Sequence, residues 1–214
     1  EGLFDYNRKV TSFYLTFKGC ESLQTIPEGL FDNCTEVTNF KGTFEFCYNL
    51  KTIPEGLFNA CPKVTTFEST FFSCKSLQAI PQGFFDKNTK VTSFRYTFGN
   101  RADYSASGNN IALTNIPKGL FDNCPEVTSF EGTFARCKAL KSIPAGLFDH
   151  CTEVTSFEKT FYDCNKISSI LQDLFKNNTK VTNFSYAFGK TGITTIPGGL
   201  FKNNIEAKNF GGSF

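Results

Sequence analysis

Nine cysteines, one histidine and regular series of aspartates and threonines are the side chains here with chemistry to offer. The cysteines form two interleaved series, Cys20, Cys47, Cys74, Cys137 and Cys164, and Cys34, Cys61, Cys124 and Cys151. There is no C-x-x-C pair, so a zinc site built on such pairs is not expected. Asn88, Asn178 and Asn204 stand where the second series would continue, and the odd total leaves one thiol over. A bridge so freely dropped is no framework. Reduced, buried thiols acting as small apolar side chains are expected instead. His150 lies beside Cys151, but a Cys-His nucleophile also needs an orienting group and an oxyanion site. Neither is visible, and Asn33, Ala60, Lys87, Asn123 and Asn177 occupy the same place in the pattern. His150 therefore reads as a surface turn. No catalytic, metal or cofactor residue is assigned, and the chain is read as not an enzyme.

Asp5, Asp32, Asp86, Asp122 and Asp149 resemble a stair of calcium ligands, but Asn59, Lys176 and Lys202 interrupt it. Turn formation or capping explains them. Thr11, Thr38, Thr65, Thr92, Thr128, Thr155 and Thr182 recur after a valine. A cross-strand hydroxyl ladder accounts for that series better than an ice-ordering face. Asn33, Asn177 and Asn183 begin Asn-x-Thr/Ser triplets, relevant only where the source glycosylates them.

These series are columns of one repeat. Leu-Phe, once Phe-Phe, recurs with its second residue at Phe4, Phe31, Phe58, Phe85, Phe121, Phe148, Phe175 and Phe201. The steps are 27 residues, with one of 36 and one of 26. The unit reads L-x-x-I-P-x-G-L-F-x-x-C-x-x-V-T-x-F-x-x-T-F-x-x-C. Three columns hold 24 of the 27 Phe; Phe46, Phe72 and Phe84 remain. Residues 30–98 match 120–188 at an offset of 90, so the array is two triplets of repeats with partial units at each side. The nine extra residues fall within 100–110.

A unit this short cannot enclose a core, so stacked coils must share one. The expected fold is a repeat solenoid of about eight 27-residue coils over 1–214, counted from the repeat. Short parallel strands are expected at 50–53 and 64–67 and their equivalents. Pro54 and Gly56 end the first. Three-residue spacings such as Phe58, Cys61, Val64 suit short helical or 3-10 turns. The Phe columns should run down the interior.

The composition excludes other classes. The net charge is +2 on 42 charged side chains, with only four Arg, so a nucleic-acid partner is not expected. No apolar run reaches the roughly 18–20 residues of a membrane span, and no signal peptide is recognisable. With no Met, the chain is expected to be processed, trimmed or excised.

The residues also resemble a known family. Thr43-Phe44-x-x-Cys47-x-x-Leu50, Thr70-Phe71-x-x-Cys74-x-x-Leu77 and Thr133-Phe134-x-x-Cys137-x-x-Leu140 are similar to the A-F-x-x-C-x-x-L hallmark of BspA-like leucine-rich repeats. The V-T-x-F-x-x-T-F-x-x-C string resembles the repeats of bacterial and mycoplasmal surface proteins. The resemblance implies a right-handed leucine-rich-repeat superhelix, displayed at the cell surface or secreted. It implies recognition or adhesion toward a host or cell-surface protein or glycan, with no cofactor. The alternative is a structural spacer of a larger surface protein, flanked by further repeats or domains. Here Phe replaces most Leu, and L-x-x-I-P shortens the family's strand.

A binding surface would be written at the variable positions. These are the residue pairs between V-T-x-F and T-F, and between T-F and Cys. Phe46, Phe72, Tyr96 and Tyr162 are the candidate anchors there, read as exposed, with Tyr48 beside them. Arg101, Asp103 and Tyr104 are the candidates within the insertion, since loops on rigid scaffolds carry recognition.

Overall fold

The computed structural model describes residues 2–100 and 111–214. The chain forms a solenoid of coils in one parallel register. Bridges run Ser12 to Asn39, then Thr66, Ser93, Ser129, Ser156, Asn183 and Asn209. The step across the insertion keeps the register: Phe94 N–H donates to Ser129 O at 3.2 Å and Tyr96 N–H to Glu131 O at 2.8 Å. The extra residues therefore leave the coil within the stack unbroken. Arg101, Asp103 and Tyr104 lie outside the described residues.

The expected strands shrink to single bridges. That at 64–67 survives as Thr66, and that at 50–53 as Thr52, which bridges Thr25. The bridging side chain itself ends the strand. Asn39 Oδ1 accepts the N–H of Lys41 at 2.7 Å, and Thr66 Oγ1 accepts that of Glu68 at 3.1 Å. The same bond recurs from Tyr14 to Gly211. Ser, Thr and Asn form such two-residue turns in competition with strand. The expected helical turns are likewise reduced. Bonds of i→i+3 type follow one another, as in Thr43 N–H to Phe40 O at 3.1 Å and Cys47 N–H to Phe44 O at 3.2 Å. Residues with positive φ stand between them, Gly42 at 64° and Phe46 at 64°, so no helix propagates among the described residues.

The Phe columns form the core. Phe40 stacks on Phe67 at 5.8 Å between ring centroids and Phe44 on Phe71 at 5.6 Å. Neighbouring columns interlock at a tilt, as for Phe40 and Phe58 at 4.6 Å and 53°. Offset and tilted contacts suit the aromatic quadrupole better than a face-to-face sandwich. Phe84 replaces Leu and is buried in the same core. The columns open at the last coil, where Phe210 and Phe214 are 42% and 47% exposed.

The buried side-chain donors of the Thr, Cys and Asn columns reach back to the coil before, whereas backbone N–H groups such as that of Phe44 donate forward to the next. Thr70 Oγ1 lies 2.9 Å from Phe40 O and 2.8 Å from Phe67 O. Cys74 Sγ lies 3.2 Å from Phe44 O. Asn88 Nδ2 donates to Phe58 O at 3.1 Å and to Cys61 O at 3.0 Å, and Cys61 Sγ lies 3.4 Å from Cys34 O in the coil before. Cys and Asn therefore exchange because the site asks only for a donor aimed at a carbonyl. The amide oxygens of Asn88, Asn178 and Asn204 have no partner among the described residues. All nine thiols are free. The Thr column carries the expected hydroxyl ladder, Thr65 Oγ1 to Thr38 O at 3.2 Å being one rung.

Candidate recognition surface

Each coil makes its sharpest turns just after the bridge. Two columns of left-handed residues lie there. The first contains Leu15, Ser69, Tyr96, Lys159 and Tyr186, with Gly42, Gly132 and Gly212 in the same place. The second contains Phe46, Ser73, Arg136, Asp163 and Lys190, with Gly19. These fall within the variable pairs of the repeat. The glycines also clear space. A Cβ on Gly132 would collide with the ring of Tyr96, one on Gly212 with that of Tyr186, and one on Gly42 with Leu15. A large side chain thus lies over the glycine of the next coil.

The structure brings four of the predicted anchors together, and corrects the exposure expected of two. Phe72 and Tyr96 are buried, at 3% and 5% exposure, and with Ala135 they form a satellite apolar cluster. Phe46 and Tyr162 pack against it, half-buried. Phe72 meets Phe46 edge-on at 5.5 Å and Tyr96 at 6.1 Å. Phe46, Phe72 and Tyr96 stand at different places in successive coils and cover one another, so position within the repeat did not reveal burial. Tyr48 continues the strip beside Phe46 at 5.9 Å.

Sequence reasoning missed Tyr186. It is 46% exposed and meets Tyr162 edge-on at 6.1 Å. The signal was available: at the offset of 90, Tyr162 and Tyr186 are the counterparts of Phe72 and Tyr96. Lysines lie over several of these rings, Lys18 over Phe46 at 5.4 Å, Lys159 over Tyr186 at 5.7 Å and Lys190 over Tyr162 at 5.4 Å.

A charge ladder borders the strip. Lys41 pairs with Glu68 at 3.2 Å, Glu68 with Arg95 at 3.4 Å, and Arg95 with Glu131 at 2.8 Å. The hydrogen bond to Glu131 raises Arg95 above its ordinary pKa, so it stays charged. A hydrogen bond to Glu158 raises Lys159 in the same way. Tyr14, Leu15, Lys18, Lys41, Glu45, Glu68, Ser69 and Phe72 line a cavity of about 210 Å³ beside the ladder. None of these groups forms a nucleophile and base pair. His150 is exposed, with Nδ1 3.3 Å from Asp122 Oδ1. Burial pushes the thiols of Cys47, Cys61 and Cys124 up to about 12, away from the thiolate that nucleophilic chemistry needs. No metal-holding group of His, Cys, Asp and Glu occurs among the described residues, and they form no helix long and apolar enough to cross a membrane.

Comparison with known proteins agrees with this architecture. No curated protein matches the chain. Among solved structures, a chain of the Drosophila Toll–Spatzle complex aligns with a TM-score of 0.54 at 19% identity, over 91% of this chain and 24% of that one. A leucine-rich repeat protein from Bacteroides ovatus aligns with a TM-score of 0.37 at 19% identity, over 89% of this chain and 48% of that one. The chain thus spans under half the length of either. The likeness to the Toll–Spatzle chain shows the solenoid fold and nothing further. The BspA type leucine-rich repeat region matches as six copies over residues 1–105 and 114–211. With its Phe ladders, donor columns and bridged register in place, the chain belongs to the BspA-type leucine-rich repeat family.

Proposed function

We propose that the chain is a non-catalytic protein-recognition module that makes its contacts through the turn edge, with 1–214 acting as one unit. One observation carries the reading. Among the described residues, ten other than glycine hold a left-handed φ, most of them at the variable positions. Folding alone favours glycine there, because an L-residue is disfavoured by roughly 1–2 kcal/mol. Leu, Phe, Tyr, Arg, Lys and Asp in those columns point to a role outside the fold. BspA-type repeats are commonly surface-associated, so we place the module at the cell surface or in secreted form. The fold it shares with a chain of the Toll–Spatzle complex is one found in protein complexes. A protein ligand is favoured over a glycan because Phe46, Phe72, Tyr96, Tyr162 and Tyr186 meet edge to face and lysines lie over three of these rings. The insertion candidates Arg101, Asp103 and Tyr104 belong to the same proposal. A spacer without a ligand would leave the left-handed columns free to be glycine.

The test is a panel of purified matrix and serum proteins, together with a glycan array, presented to the immobilised chain. A variant carrying Lys159→Ala and Tyr186→Ala runs beside it, with melting temperature as the control for folding. Binding of a panel protein that falls about tenfold or more in the variant supports the module. Binding confined to glycans, binding that survives in the variant, or no binding at all overturns it.

A further inference from the structure

The two triplets differ in the chemistry they present. At the offset of 90, Phe46, Tyr48, Ser69, Ser76 and Asn100 correspond to Arg136, Lys138, Lys159, Lys166 and Lys190. Neutral and aromatic positions of the first triplet become cationic in the second. The acids nearby are already engaged. Asp163 faces both Arg136 at 3.4 Å and Lys138 at 3.3 Å, and Glu158 pairs with Lys159 at 2.8 Å. Lys166 is exposed and forms no ion pair among the described residues. This cationic edge adjoins a cavity of about 440 Å³ lined by Ile111, Ala112, Lys138, Ala139, Asn165 and Lys166. Its floor is apolar and its rim carries two ammonium groups. Lys190 lies over Tyr162, which meets Tyr186.

Resting on the reading that the turn edge binds protein, we propose that the part of it between 135 and 190 takes an acidic peptide segment of the partner. An apolar side chain of that segment sits in the cavity over Ile111 and Ala139. Flanking carboxylates meet Lys138, Lys166 and Lys190. The cavity volume is ample for a Leu or Phe side chain, and the apolar floor needs no polar partner from it. Among the described residues, Asp163 is the acid that Lys138 and Lys190 share and Lys166 pairs with none, so a carboxylate arriving there adds attraction without leaving a charge unpaired.

Three labelled peptides test this by fluorescence anisotropy at low salt: Glu-Glu-Leu-Glu-Glu, Glu-Glu-Gly-Glu-Glu and Lys-Lys-Leu-Lys-Lys. The first should bind most tightly, the second several-fold more weakly, and the third not at all. Lys166→Glu should weaken the first by about five- to tenfold. Lys90→Glu, an exposed reversal elsewhere on the coil, should leave it unchanged. Equal binding of the basic peptide, equal loss in Lys90→Glu and Lys166→Glu, or no binding of the first peptide overturns the inference. The broader reading stands or falls separately. A panel protein lost in the Lys159→Ala, Tyr186→Ala variant but untouched by Lys166→Glu would keep the module and reject the acidic segment.

Discussion

Asn178 and the thiols show how much one side chain does here. Asn178 Nδ2 donates to Phe148 O at 3.0 Å and Cys151 O at 2.8 Å inside the core. Asn178→Ala strands both carbonyls and should cost about 1–3 kcal/mol by denaturant titration. Asn178→Cys, which restores a donor, should cost less. The reverse exchange makes a pH prediction. The folded pKa of Cys61 and of Cys124 is about 12, against about 8.5 for an unfolded thiol. A folded pKa raised in this way means the unfolded chain loses its proton first. Stability is therefore full below about 8.5 and falls as pH climbs toward 12, by at most about 1.4 kcal/mol per thiol per pH unit. A Cys61→Asn, Cys124→Asn variant should match the parent near pH 7 and lose less stability by pH 10.5. The Cys and Asn columns were legible in the sequence as a repeat position. Their shared chemistry was not, because only the coil spacing shows that both aim at a carbonyl one turn back.

At the scale of the element, the repeat predicted where the chain would pair but not how briefly. The V-T-x-F column has the β-branched residues of a strand. The Ser, Thr or Asn at its third place also captures the amide two residues on, and that local bond wins. A short polar side chain at a strand position was the available warning. Among the anchors, the columns placed Phe46, Phe72, Tyr96 and Tyr162 at variable positions, whereas their grouping and the burial of Phe72 and Tyr96 depended on neighbours in other coils. The turn itself is testable. Ser69 holds φ at 55°, so Ser69→Gly should raise stability by about 0.5–1 kcal/mol in spite of glycine's greater unfolded freedom. Gly132→Ala should destabilise by more than about 1 kcal/mol, since its Cβ meets the Tyr96 ring as well as a left-handed φ. Adding Tyr96→Ser should recover the steric part, and a double-mutant cycle would read that coupling.

For the whole molecule, stability resides in continuity. Each ladder Phe of an inner coil, such as Phe67, contacts rings above and below it, and no coil has a core of its own. Phe67→Ala, in the middle of a ladder, should cost about 3–5 kcal/mol. Phe210→Ala, at 42% exposure, should cost well under half of that. A chain whose coils interact only with nearest neighbours should also fray from its ends. Hydrogen exchange should therefore be slowest for the amides of Phe67, Phe94 and Phe130 and faster toward Phe13 and Phe210. The periodicity of the sequence made this architecture legible, because a unit too short for a core has few other solutions. It gave no view of which edge would gather the cations, since that depends on which columns the turns place side by side.

The backward aim of the buried side-chain donors has a consequence for biosynthesis. Thr, Cys and Asn of each coil all point at carbonyls of the coil that precedes it in the chain. A ribosome delivers the preceding coil first. Each new turn of chain thus meets acceptors already in place, and its hydroxyl, thiol and amide groups can be satisfied as soon as they emerge. For the thiol and amide donors winding from the amino end is matched to the direction of translation, whereas each Thr hydroxyl also has an acceptor three residues back in its own coil.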